Sequence, residues 1–181
     1  LELAGSLEAE ESISLNVATY YNRSQYPKNK FTKSIKNIAG KGWWDIAAIF
    51  RSYDLIKSLQ PDILHAHHTW SAFVFFLLSK MFFPSVLLIK TEHNNHRHIR
   101  GYQRILNFLI LSMADLVFCN SKSTLSSFSY LEKKVTKGKG EVIYNGVDLE
   151  AVQNTGISKG IEEQYLSNAN ITLAGLIMLI C

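Results

Sequence analysis

The chain has 181 residues, 47% of them hydrophobic and 19% charged, which gives it enough mass to bury a core and excludes wholesale disorder. Two cysteines, Cys119 and Cys181, exclude a disulfide framework and fit reduced thiols in a cytosolic protein. The net charge of +4 is modest but unevenly placed: Arg23, Lys28, Lys30, Lys33, Lys36, Lys41, Arg51 and Lys57 face only Asp45 and Asp54 between residues 23 and 57, which points to an anionic partner.

The first residues carry apolar positions at helical spacing, Leu3, Ala4 and Leu7, and read as the remnant of a helix. Residues 13–19 read as a strand, and the polar stretch 20–29 with Pro27 as a loop. Phe31, Ile35 and Ile38 recur at helical spacing, with Lys33 and Lys36 off that stripe, so a short helix ending at Gly40 and Gly42 is predicted. With Lys30 and the pair Trp43-Trp44 nearby, this helix suits the interface of an anionic membrane. Residues 44–59 form a longer helix whose Ile49, Tyr53, Ile56 and Leu59 share a face. Pro61 stops it by restricting Gln60.

Residues 62–66 are the next strand, followed by a helix over 71–83 that is apolar almost all round and therefore expected to be buried. Lys80 and Pro84 interrupt this apolar stretch, so it does not read as a membrane span. Residues 86–90 form a continuous apolar strand of the kind that a parallel sheet covers on both faces. A helix over 101–113 carries Ile105, Phe108 and Leu109. A strand at 115–119 leads into a helix capped by Ser121 or Ser123 that runs to about Leu131. Residues 133–140 read as a basic loop, and 141–144 as a strand.

Strand and helix alternate with short connections, which argues for an α/β fold with a parallel sheet and right-handed crossovers. Four strands end in polar or turn residues: His65-Ala66-His67-His68, Thr91-Glu92-His93-Asn94, Asn120-Ser121 and Asn145-Gly146. In a parallel sheet these ends share one edge, the edge where ligands bind. His93 is the foremost candidate because it stands beside a strand terminus between Glu92 and Asn94. His68, His96 and His98 read more simply as surface or helix-start residues.

A zinc site is the natural rival, since His65-Ala66-His67 at a strand end can bind metal. No Asp or Cys accompanies the pair, no His-Glu-x-x-His occurs, and a metal barrel needs about 250 residues. No metal is therefore expected. Neither a G-x-G-x-x-G, nor a P-loop, nor a serine nucleophile elbow is present, and the basic stretch matches no nucleic-acid motif.

Pro61-Asp62-Ile63-Leu64-His65-Ala66-His67, then Thr91-Glu92-His93-Asn94, then residues 114–121 (ADLVFCNS), then residues 141–148 (EVIYNGVD) follow in an order that resembles the amino-terminal domain of family 4 glycosyltransferases. The resemblance implies a Rossmann-like doubly wound sheet, the amino-terminal half of a two-domain GT-B architecture. It implies an acceptor-side domain over 1–150 without its first strand. Residues 151–181 would be a crossover and the start of a truncated donor-binding domain, with 171–180 its opening strand. A tail of that kind would lack a sheet to join.

The implied activity is retaining transfer of a hexosyl or related sugar from a nucleotide-sugar to a saccharide or lipid-linked acceptor, as in polysaccharide biosynthesis. The nucleotide-sugar is a co-substrate, no cofactor is implied, and a fragment without the second domain would be inactive alone. His93 matches the family's histidine beside the donor sugar and takes the catalytic role, as a positioning and charge-stabilising group. His65, His67, Glu92, Asn94, Asn120, Ser121, Asn145 and Gly146 are the substrate-binding candidates. Lys30, Lys33, Lys36, Trp43 and Trp44 would face an anionic membrane, giving a cytoplasmic protein peripheral to the inner membrane face. The alternatives are a GT-B nucleotide-sugar epimerase, a histidine-rich metal-dependent hydrolase and a non-catalytic binding module.

Overall fold

The computed structural model of the chain describes residues 14–21, 35–42, 45–144 and 175–180, the last as backbone. In chain order the elements are β1 (Ser14–Tyr21), β2 (Ile35–Gly40), α1 (Ile46–Leu59), β3 (Ile63–Ala66), α2 (Thr69–Phe82), β4 (Leu87–Glu92), a 3-10 turn (His96–His98), α3 (Tyr102–Met113), β5 (Leu116–Cys119), α4 (Lys122–Ser126), α5 (Tyr130–Thr136), β6 (Gly140–Val142) and β7 (Gly175–Ile180). The strands form one sheet in the order β2-β1-β7-β3-β4-β5-β6, and every pair is parallel. This is the expected α/β class.

The main core lies between the sheet and the helices α1, α2 and α3. Leu64, Ala66, Leu88, Val117 and Cys119 from the strands meet Ala48, Ile56, Phe75, Phe76, Ile110 and Leu111 from the helices, all buried. Ile63 and Ile89 point to the opposite face, where they pack with Leu15, Leu116 and Phe118. Strands apolar on both faces explain the continuous runs in the sequence.

Local chemistry sets the helix limits. The Asp45 carboxylate caps α1 by accepting the Ala48 N–H at 3.0 Å. The helix ends at Leu59 as expected, but Gln60 adopts a left-handed conformation with φ of 43° and sends its N–H to the Ile56 carbonyl. Asp115 ties the starts of two strands together. Its carboxylate accepts the Leu88 N–H and the Lys80 ammonium, both at 2.8 Å.

Several expectations are corrected. Residues 35–40 are not helical: Ile35–Gly40 pairs with β1 as a parallel edge strand. Ile38 and Gly40 are buried while the alternate residues Asn37 and Ala39 are exposed, the period-two pattern of a half-covered strand. Pairing with β1 overrides a helical reading that rested on three apolar residues, and the amphipathic-helix basis for a membrane contact goes with it. Lys30, Lys33, Trp43 and Trp44 lie outside the described residues. Helix α2 is not buried all round, because Leu77, Met81 and Phe82 are exposed. In α3 the buried face is Asn107, Ile110 and Leu111, not the Ile105 side. The basic loop expected from residue 133 is helical as far as Thr136, where α5 ends. No helix among the described residues is long and apolar enough to cross a membrane.

The carboxyl-terminal strand also differs from expectation. Rather than lacking a sheet, Gly175–Ile180 lies in the middle of this one, with Met178 opposite Val17 on one side and His65 on the other. The residue-150 boundary falls outside the described residues. A strand bonded on both sides has no place for proline. Met178→Pro should leave a ladder partner unsatisfied, cost about 1–3 kcal/mol and lower Tm by roughly 2–12 °C in thermal unfolding. An unchanged Tm would place this segment outside the sheet.

Candidate functional site

The strand ends gather where the sequence pattern puts them. β3 ends at Ala66, level with Lys90, and the adjacent parallel β4 runs two residues further to Glu92, so His67 and His93 each follow the end of one of two neighbouring strands. His67 Nδ1 lies 3.0 Å from His93 Nε2, with the rings stacked at 5.3 Å between centroids and 19° between planes. The His65 ring follows at 4.4 Å from that of His67, and its Nε2 is 2.6 Å from Thr91 Oγ1. His65 also meets the edge of Phe118 on the neighbouring strand.

The surroundings lower the pKa of all three rings, which favours their neutral form. Burial, and then the Lys90 ammonium and His93, push His65 down to about 4. Burial together with His65, His93 and Lys90 takes His67 to about 3. His93 is lowered by burial and by Lys90. Neutral imidazoles can hydrogen-bond to one another, because each offers one donor and one acceptor.

Behind the rings lies a buried charge network. Lys90 is 1% exposed. Its Nζ donates to the His67 carbonyl at 3.2 Å and to the Thr91 carbonyl, and lies 3.2 Å from Glu92 Oε1. Two carbonyl acceptors and one ion-paired carboxylate thus surround the Lys90 Nζ. Glu92 Oε2 is 3.4 Å from His96 Nε2, and His96 Nδ1 is 2.9 Å from Glu132 Oε1. Glu132 also accepts the Ser129 N–H at 2.6 Å, and its own N–H donates to Ser129 Oγ, a capping box that starts α5.

Burial opposes charge on His96, but its contacts with Glu132 and Glu92 outweigh that and raise it to about 9. Burial likewise opposes ionisation of Glu132, while His96 and Ser129 bring it down to about 2. Glu92 is lowered too, with Lys90 and His96 overcoming its burial. Burial and the nearby Glu92 push the Cys119 thiol up to about 12, so it is an inert core residue.

A second set of contacts holds the exit of β5. The Glu92 carbonyl accepts the Asn120 N–H at 3.2 Å. Asn120 Nδ2 lies 3.4 Å from the His93 carbonyl, and its Oδ1 accepts from Thr124 Oγ1 at 2.8 Å. Ser127 Oγ accepts the His96 N–H at 2.9 Å and donates to the Thr124 carbonyl at 2.6 Å. The contacts therefore close on themselves: His67, Lys90, Glu92, His96, Ser127, Thr124, Asn120, His93 and back to His67.

The candidate residues divide accordingly. His65, His67 and His93 come together as a ring cluster. Asn120 supports it through the His93 carbonyl, and Ser121 caps α4 by accepting the Thr124 N–H. Asn94 is exposed just beyond His93, whereas Asn145 and Gly146 lie outside the described residues. Glu92 is corrected from ligand contact to support, because its side chain is buried between Lys90 and His96. His96, read from sequence as a surface residue, is corrected to a buried one, while His98 is exposed. Lys90 and Glu132 were missed. The signal for Lys90 was present: a Lys-Thr-Glu sequence continuing an apolar strand puts opposite charges on one face. Among the described residues no group of three or more His, Cys, Asp or Glu side chains is disposed to hold a metal ion.

The model of Glycosyltransferase Family 4 matches residues 17–151, more than half of the chain and all of the strand ends just described. The chain belongs to glycosyltransferase family 4. No curated protein matches it. The family places the domain in a sugar transferase, and the parallel α/β sheet fits a Rossmann-like half of a GT-B enzyme.

The charge network gives a pH signature. His96 stands above its ordinary value of 6.5, so its contribution is complete below about 6.5 and is lost as pH rises through about 9. Glu132 stands below its ordinary 4.5, so its contribution is complete above about 4.5 and is lost as pH falls through about 2. Urea unfolding should therefore show stability falling between pH 6.5 and 9, and a His96→Phe variant should lose that slope while being less stable at pH 6. A variant with an unchanged alkaline slope would dissociate it from His96.

Proposed function

We propose that the chain forms the acceptor-side domain of a retaining transferase that moves a hexosyl or related sugar from a nucleotide-sugar to a saccharide or lipid-linked acceptor. The observation that carries this reading is the cluster of neutral His65, His67 and His93 rings at the carboxyl edge of a parallel sheet, in a chain of this family. An open parallel sheet binds ligands at that edge. In this reading a second domain holds the nucleotide, and no metal takes part.

His93 is the group assigned to the transferred sugar. Its exposure gives it access, and its neutrality makes it a hydrogen-bonding partner rather than a fixed cation. A positioned polar group at a developing charge is worth roughly 2.7–4 kcal/mol, or about 10²–10³ in turnover. His93→Ala in the intact protein should cut turnover by about that factor while nucleotide-sugar affinity changes little. His98→Ala, on the exposed side of the following turn, is the control. Isolation of the glycosylated acceptor separates transfer from epimerisation. Near-normal turnover in His93→Ala, or a loss explained by unfolding, removes His93 from the mechanism.

A further inference from the structure

The contact between His67 and His93 has a direction that the surroundings determine. Each neutral ring carries one proton, and the two facing nitrogens, 3.0 Å apart, can share only one. If His93 donates, the proton of His67 sits on its other nitrogen, Nε2. If His67 donates, its Nε2 is bare and the proton of His93 sits on Nδ1.

His67 Nε2 is buried and has no hydrogen-bond partner among the described residues. A buried N–H with no acceptor is the less tolerable of the two, since orphaned donors are rarer in proteins than under-used acceptors. The Lys90 ammonium, bound to the carbonyl of the same residue, adds positive potential around the ring and disfavours an N–H pole there. Both arguments select His67 as the donor.

The geometry leaves His93 little freedom to escape this arrangement. Asn120 Nδ2 holds its carbonyl, and Thr124 Oγ1, donating to Asn120 Oδ1, fixes which way the Asn120 amide points. Lys90 Nζ holds the carbonyl of His67. Both ring-bearing backbones are thus anchored from below, and the stacked rings set one another's planes.

We propose that His67 is a positioning residue that holds His93 in the Nδ1–H tautomer, so that His93 offers one N–H donor to a hydroxyl oxygen of the sugar. This rests on the reading of the site as one for sugar transfer. The nitrogen that a histidine presents is set by the hydrogen bond made by its other nitrogen. Without His67 the proton is free to move to Nε2, and the atom facing the sugar becomes an acceptor.

The test uses the intact protein labelled with ¹⁵N-histidine, with His93 resonances identified by their loss in His93→Gln. The wild type should show a protonated Nδ1 and a bare Nε2 on His93. His67→Phe should shift His93 towards Nε2–H and lower turnover by roughly tenfold, the weight of one neutral hydrogen bond, with nucleotide-sugar KM changed less than about twofold. His67→Asn places an amide N–H where Nδ1 was, and should restore both the Nδ1–H tautomer and turnover to within about threefold of wild type. If His67→Phe does not fold, the wild-type spectrum and His67→Asn decide the matter. A wild-type Nε2–H tautomer, an unchanged tautomer in His67→Phe, or an Asn variant that folds but recovers neither property overturns the proposal. The spectrum needs no turnover, so a failure of the transfer reading in His93→Ala would leave the tautomer result standing separately.

Discussion

The ammonium of Lys90 is placed where water cannot reach it, and the strand exits are arranged around that constraint. An isolated buried charge costs several kcal/mol and tends to neutralise instead. Two backbone carbonyls and the Glu92 carboxylate surround the Lys90 Nζ here. Glu92 is itself buried and needs more than one partner, which His96 supplies. His96 then carries a charge that Glu132 balances from α5, and the series stops where the charges sum to zero. A helix distant in sequence is thereby docked beneath the end of β4 by electrostatics as well as by packing.

The same ammonium reaches the opposite side of the exit. It lowers His65, His67 and His93 alike, although burial is the larger cause for each. Two protonated imidazoles stacked at 5.3 Å would repel, whereas two neutral ones share a hydrogen bond. The support network and the ring cluster are therefore one electrostatic system with a division of roles. The carboxylates hold charge on His96, on the buried side, and the lysine keeps charge off the rings at the sheet edge.

What could be read from sequence was whatever depended on neighbours along the chain. The strands expected at 62–66, 86–90 and 115–119 are found as Ile63–Ala66, Leu87–Glu92 and Leu116–Cys119, because apolar runs bounded by His, Asn and Ser are local signals. That these strand ends share one edge followed from parallel pairing; that the His67 and His93 rings meet there came from the structure. The failures have physical causes. Ile35 and Ile38 fit a helix as well as a strand, and only β1 decides between them. Burial of His96 depends on Glu132, 36 residues away, and no local pattern announces it. The start of α5 was legible and passed over: Ser129 followed by Glu132 is a capping box.

The sheet order explains why the rings lie where they do. From β1 the chain moves outward to β2, and from β3 it moves outward the other way through β4, β5 and β6. β2 thus lies beyond β1 on one side of β7, and β4, β5 and β6 lie beyond β3 on the other, so the strand order steps away from β7 in opposite directions. At such a reversal the loops leaving the carboxyl ends of the strands separate and open a crevice. His65 is in β3 itself, His67 is the residue just past its end, and His93 follows the adjacent strand. The chemistry-bearing side chains thus lie at the carboxyl edge of the sheet, beside this change of direction. The buried charge of Lys90 lies one strand to the side, near enough to set their protonation without occupying the crevice.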